Sequence, residues 1–426
     1  MGEASMNSDG SKGEELAYAI ISSHSIVKSR TGNILSRLIS RTELELVSGA
    51  VFSPSRVLAE RYAEMVVAGG DEGDEARRML SGYLREKFVE VPEGEAGARR
   101  RVLMLVFRGE DAVARVKAVV GEIARQREGG ETIRDTYGEL ISDESGEVIF
   151  YEPAVLIAET REEVQAHLEL WAKYSDKDAG IREGAAAATA LCDESGCMEK
   201  TLVLIKPDNF RYPNIRPGAL IDVFSRTGLC MIGFKVLRMS VAQAEAFYGP
   251  VLPVLQELYR DQLCDPVREY LDERYEMSLR DEDWEEVAHV LGPVMGRNHW
   301  EKLVAFMSGR RPGDVVMDGG DKEDTGTQQA IGLVYEGVDA VRKIRAVLGP
   351  TDPSKAPAGT IRREFGSTVM INAAHASDSP ENADREMGLV GMAENHFKDV
   401  VTEFYDGARG DGEAVGVVKK LQNLFH

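Results

Sequence analysis

Two stretches of this chain, far apart, read alike: GEDAVARVKAVVGE from Gly109 to Glu122 and GVDAVRKIRAVLGP from Gly337 to Pro350. Both keep Asp-Ala-Val, both continue with an apolar face at helical spacing, and both reach Thr-Ile-Arg, at Thr132 to Arg134 and Thr360 to Arg362, with the same separation and no gap. Ser40-Arg41-Thr42 matches Ser225-Arg226-Thr227, and Tyr62 matches Tyr248. Self-similarity of this kind forces a repeat architecture. The 426 residues also exceed one ordinary core. Two copies of one domain are expected, over residues 14–172 and 200–410. A small, irregular linker at 173–199 separates them, and 411–426 form a C-terminal extension.

Each copy reads as strand, helix, strand, helices, strand, helix, then a last short strand and helix. Leu16 to Ile21 and Thr201 to Ile205 are short apolar runs suited to strands, as is Leu229 to Leu237. Val338, Val341, Ile344 and Leu348 share one helical face. Ser379-Pro380-Glu381 is a helix start, with a hydroxyl cap, a proline where no amide partner is needed and an acid at the positive end. The pattern predicts an α+β sandwich. The second copy carries two extra stretches, one helical near 249–296 and one acidic and Gly-rich at 308–329. Asp318, Asp321 and Asp324 in the latter lack the spacing of a calcium loop and read as a solvated loop.

With 51 basic against 72 acidic residues the formal charge is −21. That field opposes phosphate backbones, so nucleic acid is not an expected partner. A site for a small anion must rest on a few local cations. No run of about 18 apolar residues predicts a membrane span, and the polar N-terminus lacks the core of a secretory signal, so a cytoplasmic location is expected. Cys192, Cys197, Cys230 and Cys264 lack the spacing of a disulfide framework.

Three polar constellations stand out in the second copy. Lys206-Pro207-Asp208 follows a strand directly. Arg345, Thr351 and Arg362 supply guanidinium forks and a hydroxyl suited to phosphate oxygens. Asn372-Ala373-Ala374-His375-Ala376-Ser377-Asp378-Ser379 sets a histidine among small residues, where a bulky substrate can approach. Taken in order with Tyr248 and Gly359-Thr360-Ile361-Arg362, they resemble the nucleoside diphosphate kinase family, over about Lys200 to Asp406. No GxxxxGK[ST] loop is present.

The resemblance implies two tandem ferredoxin-like βαββαβ domains, each a four-stranded antiparallel sheet covered by helices. It also implies an enzyme that moves the terminal phosphate of a nucleoside triphosphate to a diphosphate through a phosphohistidine, in a ping-pong cycle with Mg²⁺ bound on the nucleotide phosphates. On that basis His375 is the nucleophile, Glu386 orients its imidazole and Ser377 is the nearby hydroxyl. Tyr248 and Lys206 lie close to the transferred group, and Arg345, Thr351 and Arg362 contact phosphates. Lys206 and Asn372 hold ribose hydroxyls, and the base-stacking aromatic falls at His299 or Trp300. The implied partners are nucleoside tri- and diphosphates, within an oligomer or a pseudo-oligomer. This chain departs from the family in having Ala376 where glycine usually follows the histidine.

At the same positions the first copy has Ser22 for the lysine, Lys117 and Ile123 for the first arginine and the threonine, Leu156 near the nucleophile and His167 for the glutamate. Only Tyr62 and Arg134 survive. Leucine accepts no phosphate, so this copy is expected to be inactive, with His24 a structural residue. A low-activity nucleotide-binding regulatory or scaffold protein of the same fold is the alternative.

Overall fold

The computed structural model describes residues 13–70, 74–88, 100–123, 129–142, 145, 148–181, 192–193, 196–262, 264–277 and 280–409. In the first half, β1 (Glu15–Ile21), α1 (Thr31–Thr42), β2 (Glu45–Phe52), α2 (Arg56–Ala68), β3 (Val102–Gly109), α3 (Ala112–Val120), β4 (Val155–Leu156) and α4 (Arg161–Asp178) follow in order. The second half repeats them with β5 (Gly196–Ile205), α5 (Arg216–Ser225), β6 (Cys230–Leu237), α6 (Val241–Tyr248), α7 (Val251–Gln262), α8 (Asp281–Ser308), β7 (Ala330–Val338), α9 (Ala340–Leu348), β8 (Ala374–Ala376) and α10 (Pro380–Leu389). Helix α11 (His396–Arg409) closes the described chain.

The sheets run β2-β3-β1-β4 and β6-β7-β5-β8, with neighbours antiparallel. This is two tandem ferredoxin-like βαββαβ units. Every residue of β1 is buried, and β3 and β7 are buried over most of their length, because these strands have sheet on both sides and helix above. Their sequences are therefore continuous apolar runs and not alternating ones.

Matching polar details recur in both halves. Glu15 accepts the Val113 amide at 3.1 Å, and Glu199 accepts that of Val341 at 3.1 Å, each carboxylate meeting an unpaired donor in the first turn of a helix. Asp111 and Asp339 each enter that helix in the left-handed conformation, at φ 54°.

The halves pack across an approximate two-fold. Glycines in the first turns of α1 and α5 abut: a Cβ on Gly32 would lie 2.1 Å from the Gly218 carbonyl oxygen, and one on Gly218 2.0 Å from that of Gly32. Only glycine permits so close a helix approach. Glu45 of β2 is bound by Arg108 at 2.7 Å and, across the interface, by Arg238. Helix α11 leaves the second half and lays Phe397 edge-on against Phe52 of the first, ring centroids 5.3 Å apart.

Two stretches hold more regular structure than their composition suggests. The stretch 173–199 is not a simple linker: α4 continues to Asp178, with Ser175 and Asp178 buried, and Cys192–Asp193 pair with Gly196–Cys197 at the start of β5. Residues 182–191 lie outside the described residues. The stretch 308–329 is helical over Pro312–Met317, because a proline opens that turn and Pro312 and Val315 are buried. Beyond it Asp318 meets Arg310 at 2.6 Å and Lys322 reaches Glu245 at 2.9 Å, while Asp321 and Asp324 are exposed.

Candidate active site

Strand β8 is three residues long, with His375 at its centre opposite Leu204 of β5. Just before it Ala373 is fully buried at φ 68°, a conformation costly for a side chain that has a Cβ. Its carbonyl accepts the Lys206 amide at 3.0 Å and the Asn209 side chain at 2.8 Å. The kink thus stitches the histidine strand to the lysine that ends β5.

The imidazole Nε2 lies 2.9 Å from Glu386 Oε2, and the same oxygen accepts the Ser377 hydroxyl at 2.6 Å. Arg385 stands 3.5 Å from the other oxygen. Glu386 is buried on α10, whose N-terminus is capped by Ser379 accepting the Asn382 amide at 3.1 Å. A carboxylate on Nε2 holds the proton there and leaves Nδ1 with its lone pair free. Phe247 packs edge-on against the ring at 5.1 Å and Tyr248 at 6.4 Å.

The cations gather beside this ring. Arg362 is buried and donates to the carbonyls of Gly349 at 3.0 Å and Ala374 at 3.2 Å, with Thr351 Oγ1 at 3.5 Å. Gly349 can offer its carbonyl there because it sits at φ 84°; a Cβ would meet Thr360 Oγ1 at 2.8 Å. Burial, then the neighbouring Arg345, brings the Arg362 pKa down to about 10. Arg345 itself is exposed on α9.

Lys206 is buried, donating to Asn372 Oδ1 at 2.8 Å and to the Met370 carbonyl at 3.3 Å, with the Phe306 ring 5.9 Å away. Burial, and next the charge of Arg362, lowers its pKa to about 8. Asn372 is fixed in turn by the carbonyls of Thr351 at 3.1 Å and Val369 at 2.8 Å.

Several buried polar atoms here lack a partner among the described residues: Tyr248 Oη, Arg362 Nε and both carboxylate oxygens of Asp208, which is only loosely approached by Arg216 at 3.7 Å. Burial pushes the Tyr248 phenol well up, so it remains a donor. Of these, Tyr248 Oη and Arg362 Nε are donors, and with the partly exposed imidazole they suit an oxygen-rich ligand, whereas the Asp208 carboxylate opposes one.

His375, Glu386, Ser377, Lys206, Tyr248, Arg345, Thr351, Arg362 and Asn372 thus converge. The two aromatic candidates diverge. Trp300 turns inward, donating to the Tyr248 carbonyl at 2.9 Å, while His299 faces the inserted helix α7, with its Nδ1 2.9 Å from Tyr259 Oη. Sequence reasoning missed Phe247, Phe306 and Asn209. Phe247 carried a signal in being adjacent to Tyr248; the other two become neighbours only through the fold.

The first half repeats this frame without its chemistry. Arg134 donates to Gly121 at 2.8 Å and Val155 at 3.2 Å, as Arg362 does to Gly349 and Ala374. Ala154, at φ 58°, takes the place of Ala373, and Leu156 lies opposite Ile20 as His375 lies opposite Leu204. His167 stands eleven residues beyond Leu156, the separation of His375 and Glu386. It is neutral, its pKa lowered to about 3 by burial and then by Arg77, and it bonds Tyr18 Oη at 2.8 Å. Tyr18 in turn meets Tyr62 at 3.0 Å, so aromatic rings fill the volume.

Fold and site together define an α+β protein with a histidine held by a buried carboxylate and accompanied by buried cations. Residues 323–395 match the sequence profile described as nucleoside diphosphate kinase. Nucleoside diphosphate kinases from Anaeromyxobacter sp. and Chlamydia abortus are 31% and 30% identical, over 44% and 45% of this chain and 86% and 90% of theirs. That of Kosmotoga olearia is 29% identical over 45% of this chain and 88% of its own. The chain belongs to the nucleoside diphosphate kinase family.

Proposed function

We propose that residues 200–410 form a catalytic domain that transfers the terminal phosphate of a nucleoside triphosphate to a nucleoside diphosphate by a ping-pong mechanism through His375. The Nδ1 lone pair attacks the γ-phosphorus, the bond to the β,γ-bridging oxygen breaks, and the diphosphate leaves with that electron pair. A terminal oxygen of the acceptor diphosphate then attacks the same phosphorus, and the P–N bond breaks to restore the imidazole. The observation that carries this reading is the 2.9 Å contact between His375 Nε2 and a buried Glu386, which leaves Nδ1 as the nitrogen free to attack.

Phosphoryl transfer depends on positioning and on neutralising charge spread over oxygens. Arg345, Arg362 and Thr351 suit the phosphates, Tyr248 can donate to the transferred group, and Lys206 with Asn372 suits the ribose hydroxyls. Mg²⁺ is proposed on the nucleotide's own phosphate oxygens, where it would neutralise charge. No described helix is long and apolar enough to cross a membrane. A cytoplasmic enzyme is proposed.

Residues 14–172 are, in this reading, a degenerate copy that acts as a built-in neighbouring subunit. The experiment incubates the protein with ATP labelled on its terminal phosphate, tests for acid-labile protein phosphate, then adds GDP and measures GTP. Wild type should label and discharge, and His375→Ala should not label. A wild type that never labels, or a His375→Ala protein that labels equally, rules the proposal out.

A further inference from the structure

The carboxylate that orients His375 is suspended from both halves of the molecule. Helix α10 carries Glu386 and ends at Leu389; the Val390 amide closes the last turn on the Glu386 carbonyl at 3.1 Å. The chain then turns through Gly391 and enters α11 at His396. The start of this corner, Val390 and Gly391, lies within about one helical turn of Glu386, Asn395 follows nine residues after Glu386, and the corner is gripped from two directions.

From its own half it is held by Lys235 of β6, only 8% exposed, whose Nζ donates to the carbonyls of Gly391 at 2.6 Å and Val390 at 3.3 Å and meets Glu394 at 3.1 Å. A buried ammonium at the carbonyl end of a helix gains from the helix dipole and satisfies carbonyls the helix leaves unpaired. From the other half it is held by α4. Asn395 Nδ2 donates to Ser175 Oγ and Asp176 Oδ1, both at 2.7 Å, and Lys398 reaches Asp176 at 2.6 Å. Phe397, next in line, is buried against Phe52. The exposed Lys398–Asp176 pair contributes little on its own. The Asn395 bonds, one of them to the buried Ser175, and the Phe397 contact set where the corner sits.

We infer that Lys235 and Asn395 are positioning residues for the nucleophile: by fixing the end of α10 they hold Glu386 on His375 Nε2, and Asn395 makes the degenerate half part of that support. The inference rests on the kinase reading for its kinetic consequence, though not for its geometric one. A hydrogen bond weakens steeply with displacement, and a shift of about 1 Å remote from the reacting atoms can cost up to about 100-fold in rate.

The test uses the full chain as wild type, Asn395→Ala, Lys235→Met, Glu386→Gln and the Asn395→Ala/Glu386→Gln double variant. Quenched-flow labelling of His375 by ATP should slow about tenfold in each of the first two variants, with the nucleotide Kd unchanged. In the Glu386→Gln background Asn395→Ala should slow it no further, because both changes act on one bond. Unchanged labelling with only a lower Tm, or the same slowing in both backgrounds, overturns the inference. If Lys235→Met does not fold, Asn395→Ala decides alone.

A wild type that never labels defeats the kinase reading and not this one, which is then read from the His375 Nε2–H proton by NMR. That resonance should be protected in wild type and broadened by exchange in Asn395→Ala. Equal protection in both overturns it.

Discussion

Lys206 gives the site a pH dependence whose sign can be worked out. Its pKa in the folded protein is about 8, against 10.5 for a solvated lysine, chiefly because it is buried and next because Arg362 is close. Between those values the unfolded chain binds a proton that the folded chain has released. The stability of the nucleotide-free protein therefore rises with pH across that window, by up to about 3 kcal/mol. Below pH 8 the cost of burying the charge is fully present. Chemical denaturation from pH 7.5 to 10 should show this rise in wild type and lose that component in Lys206→Met. Nucleotide affinity should move the other way, falling above pH 8 as the ammonium that would meet the ligand deprotonates. At Glu386 a change to Gln should lower the rate of His375 labelling by up to about 100-fold with little change in nucleotide Kd, measured by quenched flow and calorimetry.

The short strands β4 and β8 and the helices after them differ between the halves in what they aim at one place. β8 with α10 presents His375 to Glu386; β4 with α4 presents Leu156, and His167 bonds Tyr18. Restoring the pair alone should not restore chemistry. A Leu156→His/His167→Glu variant in a His375→Ala background is expected to take up no phosphate from ATP, by intact-protein mass spectrometry, because Tyr18 and Tyr62, the latter packed on Trp171 with ring centroids 5.4 Å apart, still occupy the volume. Leu156 was legible only as near the nucleophile's position, because the first copy carries nine more residues between Arg134 and Leu156 than the second does between Arg362 and His375. The aromatic filling was not: Tyr18 lies inside an apolar strand, where it reads as core and nothing in the local pattern says what its hydroxyl meets. Ala373 was illegible for a similar reason, since alanine has no preference for the left-handed conformation it takes at φ 68°. The helices α7 and α8 were legible as charged helical sequence, but the turning of His299 toward Tyr259 depends on how they pack.

At the scale of the molecule, the duplication was legible and the way its copies meet was not, because a repeat fixes two cores without saying which surfaces join. The glycines in the first turns of α1 and α5 decide it. Gly32→Leu or Gly218→Leu should drive a side chain into the opposing backbone, costing about 2 kcal/mol and lowering Tm in calorimetry, with His375 labelling retained in the protein that remains folded. The joined halves place the corner after α10 against α4, so on the proposed reading the copy that lacks the histidine supports the copy that has it. One of the two repeated domains should carry phosphate, on one histidine. The decisive measurement incubates the full chain with ATP and Mg²⁺, digests it at alkaline pH and locates phosphate by mass spectrometry before and after GDP is added. Phosphate is expected on the peptide containing His375, none on residues 14–172, and it should disappear with GDP; phosphate on another residue, or phosphate on His375 that GDP does not remove, would rule this out.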